Sequence, residues 1–206
     1  MLDKSIPYKH VFMKASPAAV AAATHALLPD GYRFKMFEPG DEVHWARIET
    51  SVGEFPSEEA ALEYFANEFG PYPEKMAERS VFVVNPNGLP VATTTAWTHL
   101  RKVGDLATVH WVAADPAEQG KGFGEAVVRE ALTIFAKMHP GEEVWLHTQT
   151  WSHRAMCLYH KLGFVIAKPD EKLSEAFPEY NLQEAFEVLE TVMDPKRLQM
   201  LKDSVR

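Results

Sequence analysis

The sequence contains a single cysteine, Cys157, among 206 residues. No disulfide can form within the chain, which suits a reducing compartment, and we therefore expect a cytoplasmic protein. The first residues, MLDKSIPYKHVF, lack the apolar core of a signal peptide. The apolar run from Ala18 to Leu28 contains His25 and is shorter than the ~20 residues that a membrane span requires. The sequence therefore predicts no association with a membrane.

Basic residues are outnumbered by acidic ones, 21 to 29, which gives a formal net charge of −8. This balance disfavours nucleic acid or an anionic membrane as a general partner, because both require a basic surface. An acidic surface does tolerate a cationic amine. The length fits one domain, since domains typically contain about 50–250 residues.

One stretch combines a buried strand, a glycine-rich turn and an amphipathic helix. Residues 108–114 are apolar and rich in β-branched and aromatic side chains, which predicts a buried strand. Residues 127–138 have apolar side chains at intervals of three and four, which predicts a helix. Between them, QGKGFG (residues 119–124) has glycines at alternate positions, so the backbone can turn tightly and approach a ligand closely. Because a helix begins there, the pattern predicts a phosphate-binding turn.

Three kinds of phosphate-binding turn share this outline. A P-loop requires G-x-x-x-x-G-K-[ST], but Lys121 precedes Gly122 here and no Ser or Thr follows it. A dinucleotide-binding turn requires G-x-G-x-x-G directly after the strand, whereas residues 115–119 intervene here and the third glycine comes one position early. Gln119-x-x-Gly122-x-Gly124 instead matches Q/R-x-x-G-x-G/A. The turn therefore resembles the acyl-CoA pyrophosphate loop of the GNAT superfamily of N-acetyltransferases.

A second motif follows in the order that this family has. Residues 152–164, SHRAMCLYHKLGF, are similar to the family's N-x-x-A-x-x-L-Y-x-x-x-G-F. Together the two motifs imply an α/β protein with the GNAT acyl-CoA N-acyltransferase fold, in which helices flank a mixed central sheet. We expect a single domain over 1–206, with a core at 32–167, an N-terminal extension containing an extra helix at 1–31 and a helical C-terminal tail at 180–206.

The resemblance implies acetyl-CoA as the co-substrate and no metal. In this family the pantetheine arm pairs alongside the central strand where it separates from the next one, much as a strand adds to an exposed edge. The backbone of Val112, Ala113 and Ala114 would then hold pantetheine and polarise the thioester carbonyl. Ser152, at the position of the family's usual Asn, is a further predicted cofactor-binding residue; it can cap the next helix but lacks the amide donor. The predicted cofactor-binding residues of the turn are Gln119, Gly120, Lys121, Gly122, Phe123, Gly124 and Glu125.

Acetyl transfer from a thioester requires proton removal from the amine, donors for the oxyanion and a proton for the leaving thiolate. His110 is the predicted base that the resemblance implies, because residues 108, 110 and 112 share one strand face, which in this family meets the thioester, and imidazole titrates near pH 6.5. His147, or a water chain to an acidic residue, is an alternative base. Tyr159, in the family's L-Y dipeptide, is the predicted acid, since tyrosine stays protonated at pH 7. A buried histidine and a tyrosine packed on Phe164 are the structural alternatives.

The two ends of the chain lie outside the motifs. Ser16-Pro17 predicts the start of an Ala-rich helix that ends near residues 29–31, after a short strand at 8–13. In the tail, Asn181-Leu-Gln-Glu184 predicts a capping box and a helix, and Asp194-Pro195 begins another. The last sheet strand of the family is then either missing or replaced by residues 8–14.

The sequence does not identify the acceptor, because a fold does not specify a substrate. A small-molecule amine or a peptide amine fits the reaction, and a homodimer is one open assembly. Two alternatives to the enzyme also stay open. One is a non-catalytic acyl-CoA-binding sensor or scaffold, and the other is an acyltransferase that uses another acyl-CoA, such as succinyl- or propionyl-CoA.

Overall fold

The structure is a computed structural model that describes residues 2–100 and 102–206. Its strands are β1 (His10–Ala15), β2 (Arg33–Met36), β3 (Ser80–Val84), β4 (Pro90–Trp97), β5 (Thr108–Ala114), β6 (Val144–Gln149) and β7 (Phe164–Ile166). Its helices are α1 (Pro17–Ala21), α2 (Glu42–Val52), α3 (Glu58–Glu68), α4 (Pro73–Arg79), α5 (Phe123–Met138), α6 (His153–Lys161), α7 (Glu171–Ala176), α8 (Leu182–Glu190) and α9 (Pro195–Asp203). Both element types occur throughout the described chain, which confirms the α/β class.

Internal contacts divide the chain into two compact units. The first contains residues 24–96 and 109–134 together with Leu2, and the second contains the described residues of 3–23, 97–108 and 135–206. The expectation of a single domain stays a prediction.

The strands of the first unit follow the order β2-β3-β4-β5. β3 pairs antiparallel with both β2 and β4, and the β3–β4 turn is held by Asn85, whose side-chain oxygen accepts from the N–H groups of Asn87 and Leu89 at 3.0 Å each. α2 ends at Gly53, which adopts the left-handed conformation (φ +92°) that a helix end often uses. One buried cluster fixes the turn before α5 against the sheet, and it comprises Val81, Val83, Val91, Ala92, Phe123 and Val127.

The strands of the second unit follow the order β6-β1-β7. β1 pairs antiparallel with β6, where Phe12 lies opposite His147, and with β7, where Met13 lies opposite Ile166. The N-terminal segment therefore takes the sheet position that the sequence left open. A buried cluster covers this part of the sheet, formed by Phe12, Leu100, Val103, Trp145, Ala167, Leu173, Phe177 and Tyr180.

The predicted N-terminal helix is much shorter than expected. Ser16 caps it as predicted, accepting from the N–H of Ala19 at 3.2 Å, but α1 ends at Ala21 rather than near residues 29–31. Helical propensity alone sustains a short helix poorly. In the segment that follows, His25 Nδ1 binds the Glu130 carboxylate at 2.8 Å and Leu28 packs against the cluster of the first unit. Tertiary contacts therefore override the Ala-rich pattern.

The helical tail is confirmed. The Asn181 side chain accepts from the N–H of Glu184 at 3.2 Å, and Asp194 accepts from the N–H groups of Lys196 and Arg197 at 3.1 Å each. α4 and α7 are additional helices that the pattern did not predict. No helix in the described part of the chain has the length and apolar character needed to cross a membrane.

Candidate functional site

The turn between β5 and α5 is anchored at Asp115. The backbone N–H of Asp115 donates to the carbonyl of Val91 at 2.8 Å, which ties the end of β5 to β4. Its Oδ1 accepts from the N–H of Ala117 at 3.0 Å, and its Oδ2 accepts from Arg47 Nη1 at 2.7 Å. The carboxylate thus fixes the 3₁₀ turn Pro116–Glu118 and joins it to α2. The glycine-rich segment that follows therefore starts from a fixed position.

Two glycines of the turn have conformations that favour glycine. Gly120 and Gly122 have φ angles of +84° and +83°, and a Cβ atom built on either would meet nothing within 4 Å. The surface above them is open, and α5 begins at Phe123 directly beyond it. A helix start leaves backbone N–H groups without intrahelical acceptors and carries the positive end of the helix dipole. The predicted pyrophosphate-binding residues therefore form an open turn at a helix N-terminus, which fits an anionic ligand.

The charged side chains beside the turn are engaged with one another. The Lys121 ammonium pairs with Glu118, and it lies 2.8 Å from the hydroxyl of Tyr32. The Lys121 ammonium and the Tyr32 hydroxyl lower the pKa of Glu118, and the Glu118 carboxylate in turn raises the pKa of Lys121. Glu125 binds Arg129 at 2.9 Å. Both carboxylates are thus held by cationic neighbours, so the anionic cofactor would be bound mainly through backbone N–H groups.

β5 contains a left-handed residue, Trp111, with φ +53°. A left-handed residue in a strand is a feature of bulges, and it interrupts the two-residue alternation of side chains. The shared face of residues 108, 110 and 112 therefore does not follow from spacing alone, because Trp111 lies between His110 and Val112. His110 is half-buried, and its carbonyl accepts from Thr94 Oγ1 at 3.1 Å. Val112 and Ala114 pack against the cluster that also contains Phe123.

The Trp111 ring belongs to an aromatic cluster with residues from α2, from α3 and from the segment between these helices. Its centroid lies 5.6 Å from that of Trp45 and 5.2 Å from those of Phe55 and Tyr64. Glu49, one turn after Trp45 on α2, is 1% exposed. Burial and the neighbouring Glu54 raise the pKa of Glu49 well above its usual value. The left-handed residue of β5 therefore packs against a largely apolar wall of aromatic rings.

The remaining predicted residues lie in the second unit. Tyr159 on α6 is 7% exposed, and its ring packs edge-on against Phe164 with centroids 6.1 Å apart. Ser152 precedes α6 but does not cap it through its side chain, which corrects the prediction from sequence. Its hydroxyl instead accepts from Nε2 of Gln149, the last residue of β6, at 3.3 Å. The contact of Ser152 with a cofactor stays a prediction.

Two further residues accompany His147 in the second unit. His10 Nδ1 lies 2.7 Å from His147 Nε2, and His10 Nε2 lies 3.1 Å from Glu179 Oε1. Neither His10 nor Glu179 was a candidate from sequence, because His10 is 137 residues from His147 and 169 from Glu179. No local motif announces a contact over such a separation. Among the described residues, no group of three or more His, Cys, Asp or Glu side chains could hold a metal ion.

Comparisons with known proteins agree with both motifs. The model of the acetyltransferase (GNAT) family matches residues 41–164. N-alpha-acetyltransferase RimI of Mycobacterium tuberculosis is 41% identical over 56 residues, which are 27% of this chain and 33% of that protein.

Solved structures resemble the chain in fold. A GCN5-related N-acetyltransferase from Sphaerobacter thermophilus has a TM-score of 0.57 and 20% identity, with 78% of this chain and 49% of that chain covered. A GNAT-family acetyltransferase from Colwellia psychrerythraea has a TM-score of 0.56 and 14% identity, with 78% and 54% covered. The chain thus spans about half the length of these structures, and at this identity they show the fold alone. Since the family model matches more than half of the chain and includes both motifs, the chain belongs to the GNAT family of acetyltransferases.

Proposed function

We propose that the protein is an N-acetyltransferase that transfers the acetyl group of acetyl-CoA to a primary amine by direct attack in a ternary complex. The observation that carries this proposal is the open, left-handed turn at Gly120 and Gly122, directly before the N-terminus of α5. Acetyl-CoA, when bound, supplies the activated acetyl group. The backbone N–H groups of residues 119–125 bind its pyrophosphate, and the backbone at Val112, Ala113 and Ala114 holds the pantetheine arm.

Two proton transfers accompany the reaction. Tyr159 donates a proton to the leaving thiolate, for which a buried phenol hydroxyl is suited because it is a hydrogen-bond donor. His110 is the base that the family resemblance favours, and His147 is its alternative from sequence. His147 is hydrogen-bonded to His10, which in turn contacts Glu179, and these contacts support His147 as the base.

The acceptor is an amine. The name of one relative suggests which class of amine to test first. RimI is named an N-alpha-acetyltransferase, so the α-amine of a peptide is the first acceptor to test beside small-molecule amines. The aromatic wall around Trp111 and the acidic balance of the chain are compatible with either. A sensor that binds acyl-CoA without turnover, and an enzyme that prefers another acyl-CoA, are the competing functions.

A thermal-shift screen tests the proposal. Acetyl-CoA at 100 times its Kd should stabilise the fold by about 2.7 kcal/mol, because it binds the folded state alone. Succinyl-CoA, propionyl-CoA and free CoA are the comparison ligands. Peptides with free or blocked α-amines and small amines then follow as acceptors, with acetylated product detected by mass spectrometry. Binding without product from any acceptor would favour the sensor, and no shift at millimolar acetyl-CoA would exclude both functions.

A further inference from the structure

A hydrogen-bonded series of three side chains crosses the second unit from a partly buried strand to the surface. It consists of Glu179, His10 and His147, and is called here the Glu179–His10–His147 chain. The distances are 3.1 Å from Glu179 Oε1 to His10 Nε2 and 2.7 Å from His10 Nδ1 to His147 Nε2. The Glu179 side chain is 53% exposed and that of His10 is 14% exposed. The Glu179–His10–His147 chain therefore extends from strand β6 to the solvent-exposed side chain of Glu179.

The position of each proton along the chain follows from the charge at its outer end. An ionised carboxylate only accepts hydrogen bonds, so His10 must donate to Glu179 through Nε2–H. A neutral His10 then accepts at Nδ1, and His147 must donate to it through Nε2–H. A neutral His147 consequently carries its lone pair on Nδ1. The chain selects the tautomer in which Nδ1 of His147 is basic, as an orienting carboxylate does for a catalytic histidine.

The surroundings hold this arrangement in place. The His147 ring stacks on Phe12 with centroids 4.6 Å apart, and the His10 ring lies 5.3 Å from that of Phe177. Burial lowers the pKa of His10, despite the neighbouring Glu179, so neutral His10 predominates at pH 7. A hydrogen bond from its own backbone N–H lowers the pKa of Glu179, and the nearby His10 and Lys102 lower it further, which keeps that carboxylate ionised.

Two other polar groups face the chain. Lys102 Nζ lies over the Phe177 ring at 5.1 Å, and the Tyr8 hydroxyl lies 3.3 Å from His10 Nδ1. The Lys102 charge opposes protonation of His10. The Tyr8 hydroxyl and His147 Nε2 lie near the single lone pair of the same nitrogen, at 3.3 Å and 2.7 Å, so His147 is the closer donor.

We propose that His147 Nδ1 accepts the proton of the acceptor ammonium and that the chain passes a proton to solvent through Glu179. This inference rests on the proposed acetyl transfer. The ammonium loses a proton to His147 Nδ1, and the neutral amine attacks the thioester carbon. The C–N bond forms as the C–S bond breaks, and the thiolate takes a proton from Tyr159. The nitrogen of the new amide releases its second proton to water, and the Tyr159 phenolate takes a proton back from water. The Nε2 proton of His147 moves to His10 Nδ1, the Nε2 proton of His10 moves to Glu179, and water removes it.

His147 has what a recycling base needs, namely a route by which its proton leaves a partly buried site. In this account His10 and Glu179 are positioning residues, because they act through His147. The assignment differs from the expectation that His110 is the base. That expectation assumed regular alternation in β5, which the left-handed Trp111 interrupts.

The first arm of the test measures tautomers without any ligand. In ¹⁵N-histidine NMR spectra near neutral pH, His147 should show a protonated Nε2 and an unprotonated Nδ1. Glu179→Gln should weaken this preference, because a glutamine amide can donate to His10 and reverse the chain. Glu143→Gln is the matched control, since Glu143 is an exposed carboxylate that pairs with Lys14 on β1 at 3.2 Å. A protonated Nδ1 in the wild-type protein would overturn the proposal.

The second arm measures kcat/KM against pH. His147→Gln should lower kcat/KM by roughly 10²–10⁴-fold and remove the acidic limb of the profile. Glu179→Gln should cause a smaller loss, and Glu143→Gln should match the wild type. His110→Ala should retain the acidic limb. Loss of that limb in His110→Ala alone, or equal profiles for Glu179→Gln and Glu143→Gln, would overturn the assignment. Failure of the wild type to bind acetyl-CoA would instead remove the proposed function, and the tautomer result distinguishes the two failures.

Discussion

Among single residues, Glu49 stands out because a fully buried carboxyl group is rare unless it is paired. Its Oε1 has no hydrogen-bond partner among the described residues, and its environment favours the neutral form. Because the folded-state pKa lies above the reference value of 4.5, this group contributes stability that is fully present below pH 4.5. The contribution is lost as pH rises from there through the folded-state pKa.

The substitution Glu49→Gln tests whether ionisation of Glu49 lowers the stability of the fold as pH rises. Glutamine cannot ionise, so the variant should lack the decline in unfolding free energy that the wild type shows above pH 4.5. Each pKa unit of difference corresponds to about 1.4 kcal/mol. Urea denaturation at a series of pH values measures the difference. Glu190→Gln, which alters an exposed ion pair with Lys202, is the control and should parallel the wild type. Parallel curves for Glu49→Gln and the wild type would show that Glu49 ionises freely in the fold.

Residue roles were predicted from sequence only where a local motif exists. The glycines at 120 and 122 were identifiable because their spacing has a mechanical reason, namely positive φ at a helix start. The left-handed conformation of Trp111 was not identifiable from sequence, since a tryptophan in an apolar strand gives no sign of it. His10 and Glu179 were missed because sheet pairing and the packing of the tail bring them together.

At the level of elements, α6 and α9 both follow a residue that can cap a helix, but only α9 has a side-chain cap in the structure. Asp194→Ala removes an acceptor that serves two N–H groups of α9, so it should lower stability by about 1 kcal/mol. Ser152→Ala should change stability by less than about 0.5 kcal/mol, because the Ser152 hydroxyl caps no helix. Chemical denaturation of both variants checks this. Equal destabilisation would mean that Ser152 does cap α6 in solution.

The predicted strand at 108–114, the helix at 127–138 and the tail helices agree with the structure, and the disagreements elsewhere have physical causes. β5 and α5 have clear periodicity, and α8 and α9 have capping residues at their starts, so local signals sufficed. The Ala-rich segment after Ser16 had good propensity but few apolar anchors, and tertiary contacts drew it away from the helix. The place of β1 between β6 and β7 is a question of topology, and periodicity does not determine topology.

For the whole molecule, the central question is how a chain of net charge −8 would bind the anionic co-substrate proposed for it. Lys121, the cation within the turn, is already paired with Glu118 and Tyr32. We therefore propose that backbone N–H groups and the α5 dipole bind the pyrophosphate of acetyl-CoA. Both require the ligand to approach Gly120 and Gly122 closely. A side chain added at Gly122 would occupy that open space.

Calorimetric titration of acetyl-CoA into Gly122→Val, compared with Gly141→Val and the wild type, tests this most directly. Gly122 and Gly141 have φ angles of +83° and +85°, and a Cβ on either meets nothing within 4 Å, so the two substitutions impose the same backbone strain. Only Gly122 lies in the predicted pyrophosphate turn. The account predicts wild-type affinity for Gly141→Val and a loss of at least about tenfold, or 1.4 kcal/mol, for Gly122→Val. Equal affinity for the two folded variants would contradict it.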